Sequence, residues 1–362
     1  MGTLRINERE VSFQDGQTIL EVALENGIYI PHLCTRRGLS SPKGLLSSEI
    51  VYRGEKVYRG QKGRKYEGCG LCVVQIEGGR IVESCVTKAE DGAVVYTNTP
   101  EIVKRRRENL SKILEKHPHG CLLCPQREGC DRKTCSFNVP EEERCCWKFG
   151  ACELEKLAEY VGIEGGLPSY RAQREIVNDN PFFFRDYTYC IGCLRCVVAC
   201  KEIVGAEALG FVWVDGEIVV GFKSSTAIEA GCRFCGICVD VCPTGALRHK
   251  ESKVASKRKA VLPSTIYPPE RWLPFTEENI MSVPEEEGVY QLYDEQRNLY
   301  KVIGTENLKK ALLEEIESGC RASYFTYEED LMYTSRERQI IQQYVKKHGR
   351  LPPGNDEMEE LF

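Results

Sequence analysis

The chain has twenty cysteines, all but Cys320 in four groups, and their spacing points to metal chemistry. Two groups share one pattern: Cys190-x2-Cys193-x2-Cys196-x3-Cys200, and Cys232-x2-Cys235-x2-Cys238-x3-Cys242 followed by Pro243. A Cys-x2-Cys-x2-Cys turn wraps three corners of an iron–sulfur cube. The fourth cysteine of each run lies on the following helix and points to the other cube. The spacing therefore predicts one [4Fe–4S] cluster on Cys190, Cys193, Cys196 and Cys242, and a second on Cys200, Cys232, Cys235 and Cys238. Lys201 follows the first run where proline follows the second, which leaves the ligands intact. Zinc takes four ligands per site and rarely uses this crossed spacing.

A third group is Cys34, the pair Cys69-Gly70-Leu71-Cys72, and Cys85. A Cys-x2-Cys pair between two outlying cysteines suggests a [2Fe–2S] site of plant-ferredoxin type. Gly68 and Gly70 would let the backbone fold round the cluster and give N–H bonds to sulfur. The polar stretch between Cys34 and Cys69 reads as an inserted loop over 36–66. The fourth group, "HPHGCLLCPQREGCDRKTCSFNVPEEERCCWKFGAC", spans His117 to Cys152 with seven cysteines and two histidines. That is more ligand than one cluster can use.

Twenty thiols in a long chain that shows no secretory signal read as reduced metal ligands rather than disulfides. "MGTLRINEREVSF" has no apolar core behind a basic stretch, and no run approaches the roughly 18 apolar residues of a membrane span. A cytoplasmic protein without a membrane span is expected. The formal net charge of −5 argues against a nucleic-acid binder.

The elements that must position these groups follow from pattern. Residues 3–13 alternate as a hairpin around Asn7-Glu8, and 17–27 form a helix with Ile19, Leu20, Ala23 and Leu24 inward. Strands follow at 71–77, 80–86 and 93–97. Thr99-Pro100-Glu101 starts a helix running to about Lys116, with Ile102, Val103, Leu110, Ile113 and Leu114 inward. Its basic run Lys104 to Arg107 reads as a solvated face. A further helix is expected at 153–161. Residues 251–280 form a linker, basic and then proline-rich. Beyond it, a strand at 288–293 and helices at 305–318 and 335–348 precede the acidic tail "NDEMEELF". Cys320 reads as a small buried residue.

The stretches "IPHLC", "GCGLCVVQIEGG", "VYTNTPEIVKRRRENLSKILEKHP", "RDYTYCIGCLRCVVAC" and "CRFCGICVDVCPTGAL" carry a resemblance over about residues 1–250. The chain resembles the N-terminal iron–sulfur region of the NADH:quinone oxidoreductase large subunit, of iron-only hydrogenases and of NAD-linked formate dehydrogenases. Its layout is nearest to the small diaphorase-type subunit of bidirectional hydrogenases. The resemblance implies an α+β multidomain chain: a β-grasp [2Fe–2S] domain over 1–98, a histidine-ligated [4Fe–4S] helical module over 99–180, and a bacterial-type two-[4Fe–4S] ferredoxin module over 181–250. The linker 251–280 and a C-terminal domain over 281–362 complete it.

The family's module reads His-x3-Cys-x2-Cys-x5-Cys, which His117, Cys121, Cys124 and Cys130 fit. In the family the last cysteine opens a helix like the one following Cys152, "CELEKLAEYVGI". A segment inserted between Cys124 and Cys152 gives the other reading. The module's ligands are then His117, Cys121, Cys124 and Cys152, and Cys130, Cys135, Cys145 and Cys146 serve an extra [4Fe–4S] cluster. Seven cysteines divide as three plus four, which favours that reading. Adjacent Cys145 and Cys146 point in different directions, so each could serve a different cluster, and His119 is a second candidate ligand. The cofactors implied are one [2Fe–2S] and three or four [4Fe–4S] clusters.

"GVYQLYDEQRNLYKVIGTENLKKALLEEI" resembles the start of a GIY-YIG nuclease domain: Gly288-Val289-Tyr290, Ile303-Gly304, then Asn307-Leu308, with Glu337 matching the family's metal-binding glutamate. The second tyrosine is displaced, and Ala311 stands where the family has its catalytic arginine, so the positive charge a phosphodiester transition state needs is missing. A docking module without nuclease activity is expected.

These readings make the chain a non-catalytic electron-transfer subunit. Its expected partners are a flavin NAD(P)H dehydrogenase subunit and a catalytic subunit for hydrogen, formate or an aldehyde, or a ferredoxin in a bifurcating complex. The rivals are an iron–sulfur nucleic-acid processing protein with a live nuclease domain, and a zinc-stapled scaffold.

Overall fold

The computed structural model describes residues 2–124, 130, 135, 137–163, 167–171, 174–178, 182–250, 262–268 and 273–355. The basic start of the linker, the acidic tail beyond 355 and most of the segment 125–136 lie outside the described residues. The chain divides into two units, one built of residues 1–122 and 132–269, the other of 123–131 and 270–362. The boundary at Pro269/Glu270 falls inside the proline-rich stretch.

The first unit begins with β1 (Gly2–Ile6) and β2 (Arg9–Phe13), a hairpin turning on Asn7 at φ 54°. Helix α1 (Ile19–Glu25) starts at a capping box of Thr18 and Glu21 and buries Ile19, Leu20, Val22 and Ala23. Next come β3 (Ile50–Arg53), β4 (Lys56–Arg59), β5 (Val73–Ile76), β6 (Ile81–Glu83) and β7 (Val94–Tyr96). The sheet order β2-β1-β7-β5-β6, with β7 parallel to β1, leaves one face for α1.

Helix α2 (Pro100–Leu114) is capped by Thr99, whose hydroxyl accepts the Ile102 N–H, and carries proline in its first turn. One member of its basic run is not solvated. Arg106 is 3% exposed and donates to the carbonyls of Leu71 (3.1 Å), Thr97 (2.8 Å) and Val73 (2.7 Å). The helix is thus pinned to the strand that leaves the Cys69–Cys72 loop. Helix α3 (Glu153–Val161) packs on α2 with Leu154, Leu157, Ala158 and Val161 buried.

Five more strands and two short helices complete the unit: β8 (Ile176–Val177), β9 (Phe183–Asp186), α4 (Arg195–Glu202), β10 (Leu209–Val214), β11 (Glu217–Phe222), α5 (Ile237–Asp240) and β12 (Leu247–His249). Strands β12-β9-β8 form one sheet. The other, β10-β11-β3-β4, corrects the expectation of a polar loop over 36–66. The stretch "IVYRGEKVYR" is a hairpin turning on Gly54 at φ 61°, and Val51 is buried against Val212 and Val219. Alternating residues round a glycine turn were the signal.

Glu175 holds the hairpin in place through Arg53 (3.3 Å), Lys56 and the Tyr58 hydroxyl, and its carboxyl is held down to about 2; burial opposes that shift and the Lys56 and Tyr58 bonds outweigh it. Glu175→Gln should therefore reduce hydrogen-exchange protection of the β3–β4 amides roughly five- to tenfold, about 1 kcal/mol after solvent screening. Unchanged protection would show that strand pairing alone secures the hairpin.

The second unit contains β13 (Leu273–Pro274), α6 (Glu277–Ile280), β14 (Gly288–Tyr293), β15 (Leu299–Thr305), α7 (Leu308–Glu317), β16 (Tyr324–Glu329) and α8 (Tyr333–His348). Its antiparallel sheet runs β13-β16-β14-β15. Leu308 and Leu312 of α7 pack with Tyr290, Leu292 and Phe325, and Cys320 and Ala311 lie against that core.

Candidate metal centres

The two matching cysteine runs fold alike. Within the first, Gly192 (φ 64°) and Leu194 (φ 61°) take left-handed conformations; within the second, Phe234 (φ 53°) and Gly236 (φ 74°) occupy the same two places. Each pair of left-handed residues curls a Cys-x2-Cys-x2-Cys stretch round a common centre. Leucine and phenylalanine adopt that backbone at roughly 1–2 kcal/mol each, so surrounding structure must impose it. The chain enters α4 at Arg195, just before Cys196, and α5 at Ile237, just before Cys238, which puts Cys200 a little over one turn along α4 and Cys242 just past the end of α5.

All eight cysteines line one apolar cavity, whose other walls include Phe183, Leu194, Leu209, Val220 and Phe222. Within it the thiols sort into neighbourhoods. Cys193 is pushed up to about 12 by burial, and Cys242 and Cys190 add to this; Cys242 in turn feels Cys190. Cys196 feels Cys193, Cys190, Cys238 and Cys242. On the other side, burial raises Cys238, the buried Arg185 guanidinium opposes it, and Cys235, Cys232 and Cys200 act on it. Backbone N–H of Phe234 points at Cys232 Sγ (3.4 Å), and Cys242 Sγ meets Thr244 Oγ1 (3.7 Å). Thiols so buried would stay protonated alone, and metal ligation is what makes them thiolates. The donor set and the apolar walls fit two cubanes.

The N-terminal group is equally closed. Cys34, Cys72 and Cys85 are buried free thiols; Cys34 and Cys69 act on one another electrostatically, and so do Cys72 and Cys85. Cys69 is lowered to about 6 by the Cys34 thiol, against burial, with help from the N–H groups of Leu71, Cys34 and Leu33. Cys85 is lowered to about 7 by the Cys72 thiol and, against burial, by the Ser41 hydroxyl at 3.4 Å. In each pair one thiol is favoured over the other to ionise, and the thiolate is the form that takes metal. Gly70, at φ 65°, leaves room for Asn109, whose side chain donates to the Gly70 carbonyl at 2.9 Å; a Cβ there would meet the Asn109 amide at 2.5 Å.

Between His117 and Cys152 the structure gathers a group that spacing did not foresee. Cys121, Cys145, Cys146 and Cys152 are buried in one core with Leu110, Leu114 and Leu154. The Cys145 N–H donates to Cys121 Sγ at 3.2 Å, Cys121, Cys146 and Cys152 act on the Cys145 thiol, and Cys146 acts on Cys152. Cys135 accepts the Val139 N–H at 3.3 Å. Cys124 and Cys130 belong to the second unit. His117 is 2% exposed, neither ring nitrogen meets a hydrogen-bond partner among the described residues, and burial lowers it to about 3. His119 Nδ1–H donates to the His117 carbonyl at 2.8 Å, and its buried Nε2 has no partner among the described residues.

Among the described residues, no three His, Cys, Asp or Glu side chains are disposed to hold a single metal ion. The sulfur groups adjoin one another through apolar contacts. Cys34 packs with Tyr66, Leu194 and Phe211, and Cys69, Cys190, Cys193 and Cys196 lie against the same cluster. Cys69 also lies against the core that holds Cys121 and Cys152. Arg195, 2% exposed, sits where these groups meet: it pairs with Glu153 at 2.7 Å and acts on Cys193 and Cys34. Sequence reasoning missed Arg106, Arg185 and Arg195, because a basic residue reads as solvated until its partners are known.

Two family profiles match: "2Fe-2S iron-sulfur cluster binding domain" over residues 3–109, and "NADH-quinone oxidoreductase subunit 3, ferredoxin-like domain" over residues 180–248. An NADH-quinone oxidoreductase chain of Rhizobium meliloti (strain 1021) is 32% identical over 67% of this chain and 23% of its own length. NADP-reducing hydrogenase subunit HndD of Solidesulfovibrio fructosivorans is 31% identical over 69% of this chain and 36% of its own. NADPH-Fe(3+) oxidoreductase subunit alpha of Geobacter sulfurreducens is 28% identical over 70% and 24%. The chain therefore matches only about a quarter to a third of the length of these relatives. A crystal structure of an NAD+-reducing [NiFe]-hydrogenase in the H2-reduced state has a TM-score of 0.48 at 26% identity, covering 69% of this chain and 87% of that one. With a 2Fe-2S cluster binding domain followed by a subunit-3-type ferredoxin-like domain, this chain is an iron–sulfur protein whose relatives are iron–sulfur subunits of NADH-quinone oxidoreductase, NAD(P)-reducing hydrogenase and formate dehydrogenase complexes.

Proposed function

We propose that the chain is the multi-cluster electron-transfer subunit of a cytoplasmic oxidoreductase complex. It would relay electrons between a flavin NAD(P)H dehydrogenase subunit and a catalytic or ferredoxin-linked bifurcating partner. The observation that carries this reading is the single apolar cavity lined by all eight cysteines of the two runs, with Cys34 and Cys69 packed against the same apolar cluster as Cys193. When bound, the clusters supply one-electron chemistry.

Cys34, Cys69, Cys72 and Cys85 hold the [2Fe–2S] cluster, in a β-grasp domain. Cys190, Cys193, Cys196 and Cys242 hold one [4Fe–4S] cluster, and Cys200, Cys232, Cys235 and Cys238 the other. The neighbourhoods of the thiols support this crossed arrangement. The 117–152 segment, with His117, Cys121, Cys124, Cys130, Cys135, Cys145, Cys146 and Cys152, holds one further [4Fe–4S] cluster or two. The chain's residues surround these sites with apolar side chains and keep water out. Arg185 and Arg195 place positive charge beside them. No helix among the described residues is long and apolar enough to cross a membrane.

The second unit is a GIY-YIG-like docking module without nuclease activity. Its Tyr290 hydroxyl is buried and donates to Glu315 (2.8 Å), which pairs with Lys301 (2.8 Å), so it is engaged rather than free for chemistry. Ala311 lies against the core where the resembled nucleases carry a cationic side chain.

Anaerobic purification with iron analysis tests the reading. A brown protein with reducible EPR signals and about 14 irons per chain for four clusters, or about 18 for five, is expected. NADH alone should leave it oxidised, and NADH with a captured flavin subunit should reduce it. Colourless protein with stoichiometric zinc, or magnesium-dependent plasmid cutting, would overturn the reading.

A further inference from the structure

The two ferredoxin-type runs share a backbone but differ in the residue placed second after the first cysteine. Gly192 (φ 64°) holds that place in the first run and Phe234 (φ 53°) in the second. Glycine takes a left-handed backbone freely, and phenylalanine takes it under strain. At Gly192 a Cβ would stand 2.9 Å from Ile218 Cβ, so the first run has no room for a side chain. At Phe234 the only bond the backbone gives the site is its N–H, aimed at Cys232 Sγ (3.4 Å), and glycine would supply the same bond. The strain is therefore carried for the sake of the ring, and strained residues cluster where a surface has work to do.

That ring opens a row of aromatic side chains on the outer face of β9 and β12. Phe234 meets Phe182, which is 38% exposed, with ring centroids 6.1 Å apart. Phe184 lies two residues on, so it points to the same side, and it pairs across the ladder with Arg248. The Arg248 guanidinium stands 5.8 Å from the Phe184 ring and 5.3 Å from the ring of Trp147, itself 45% exposed. Trp147 is held by its Nε1–H, which donates to the Gly245 carbonyl at 2.9 Å, and Lys148 beside it donates to the Cys242 carbonyl at 2.9 Å. Arg233 and Arg248 are both exposed, so the row is cationic on a chain of formal net charge −5. Asp186, the one acidic residue on β9 and β12, accepts the Thr188 N–H at 3.0 Å, and Asp240 accepts from His249 Nε2 at 3.0 Å.

We propose that the row from Phe234 to Trp147, with Arg233 and Arg248, is the docking face for an acidic one-electron carrier protein, held against the site of Cys200, Cys232, Cys235 and Cys238. Carboxylates of the carrier meet the two guanidinium groups and set its orientation, and the rings exclude water from the contact. Phe234 belongs to both sides: its ring lies in the face and its peptide bonds Cys232. One electron crosses between the carrier's redox group and that site, one side oxidised as the other is reduced, with no bond made or broken. This inference rests on the electron-transfer reading above and names the charge of the partner and the place where it binds.

The test uses the full chain, purified anaerobically with its iron, and an acidic plant-type [2Fe–2S] ferredoxin as the probe, with basic cytochrome c as its opposite. The parent chain should bind the ferredoxin, more weakly as salt is added, and should bind cytochrome c less well. R233E and R248E should each weaken ferredoxin binding roughly tenfold and flatten its salt dependence. F234G should keep its full iron and its unfolding midpoint, because glycine suits the left-handed backbone and the N–H to Cys232 remains, yet bind the ferredoxin several-fold more weakly. No binding by the parent, equal affinity in R233E and R248E, tighter binding of cytochrome c, or loss of iron in F234G overturns the docking face and leaves the electron-transfer reading standing. If R248E fails to fold, R233E decides, since its side chain lies on an exposed turn. An iron-free parent chain overturns both.

Discussion

Replacing Arg106 with alanine is expected to destabilise the first unit by roughly 3–5 kcal/mol and to strip most of the iron from the Cys34–Cys85 site. The guanidinium is buried, and burial lowers it only to about 10, so it remains a cation at neutral pH. Its three hydrogen bonds go to the carbonyls of Leu71, Val73 and Thr97. Removing it leaves three buried acceptors, each costing about 1–3 kcal/mol when unpaired. Two of those carbonyls flank Cys72, so the loop that offers Cys69 and Cys72 loses its tie to α2. Lysine cannot span three diverging carbonyls as a planar fork does, so Arg106→Lys should recover only part of the loss. Thermal unfolding with iron per chain and visible circular dichroism reads both effects. An unchanged midpoint with a full [2Fe–2S] signal in Arg106→Ala would refute the clamp.

Arg106 also marks the limit of what the sequence discloses. The run from Lys104 to Arg107 has the composition of a wetted helix face, and only the return of Leu71, Val73 and Thr97 makes one member a core residue. The two ferredoxin-type cysteine runs could be picked out because a three-residue period is a local constraint, and the same turn recurs at Gly192/Leu194 and Phe234/Gly236. The hairpin at 50–59 was missed because its strands complete the sheet of β10 and β11, far along the chain, and Arg53 and Lys56 share the inward face with Val51. For 117–152 the ligand types were plain and the grouping was not. Adjacent cysteines carry no spacing rule, and the partners of Cys146 include Gly245, 99 residues on.

Neutralising Arg195 should lower the reduction potentials of the sites at Cys193 and Cys34, and neutralising Glu153 should raise them. Adding an electron makes a cluster more negative, so a nearby cation favours the reduced form and an anion opposes it. A unit charge about 7 Å away, in an effective dielectric of ~20, acts with ~2 kcal/mol, or on the order of 100 mV for one electron. Arg195 and Glu153 pair at 2.7 Å, and Arg36 approaches Glu153 at 3.8 Å, so the parent field is partly cancelled. Arg195→Gln uncovers the carboxylate as it removes the cation, and both changes push potentials down. Glu153→Gln uncovers Arg195 and pushes them up. Breaking a buried pair from one side also costs about 3–5 kcal/mol, so both single variants should unfold at lower temperature. The double variant should return potentials toward the parent values, because the two terms are coupled rather than additive. Redox titration followed by EPR separates this from a packing defect: a merely structural role would lower stability in both single variants without moving their potentials in opposite directions.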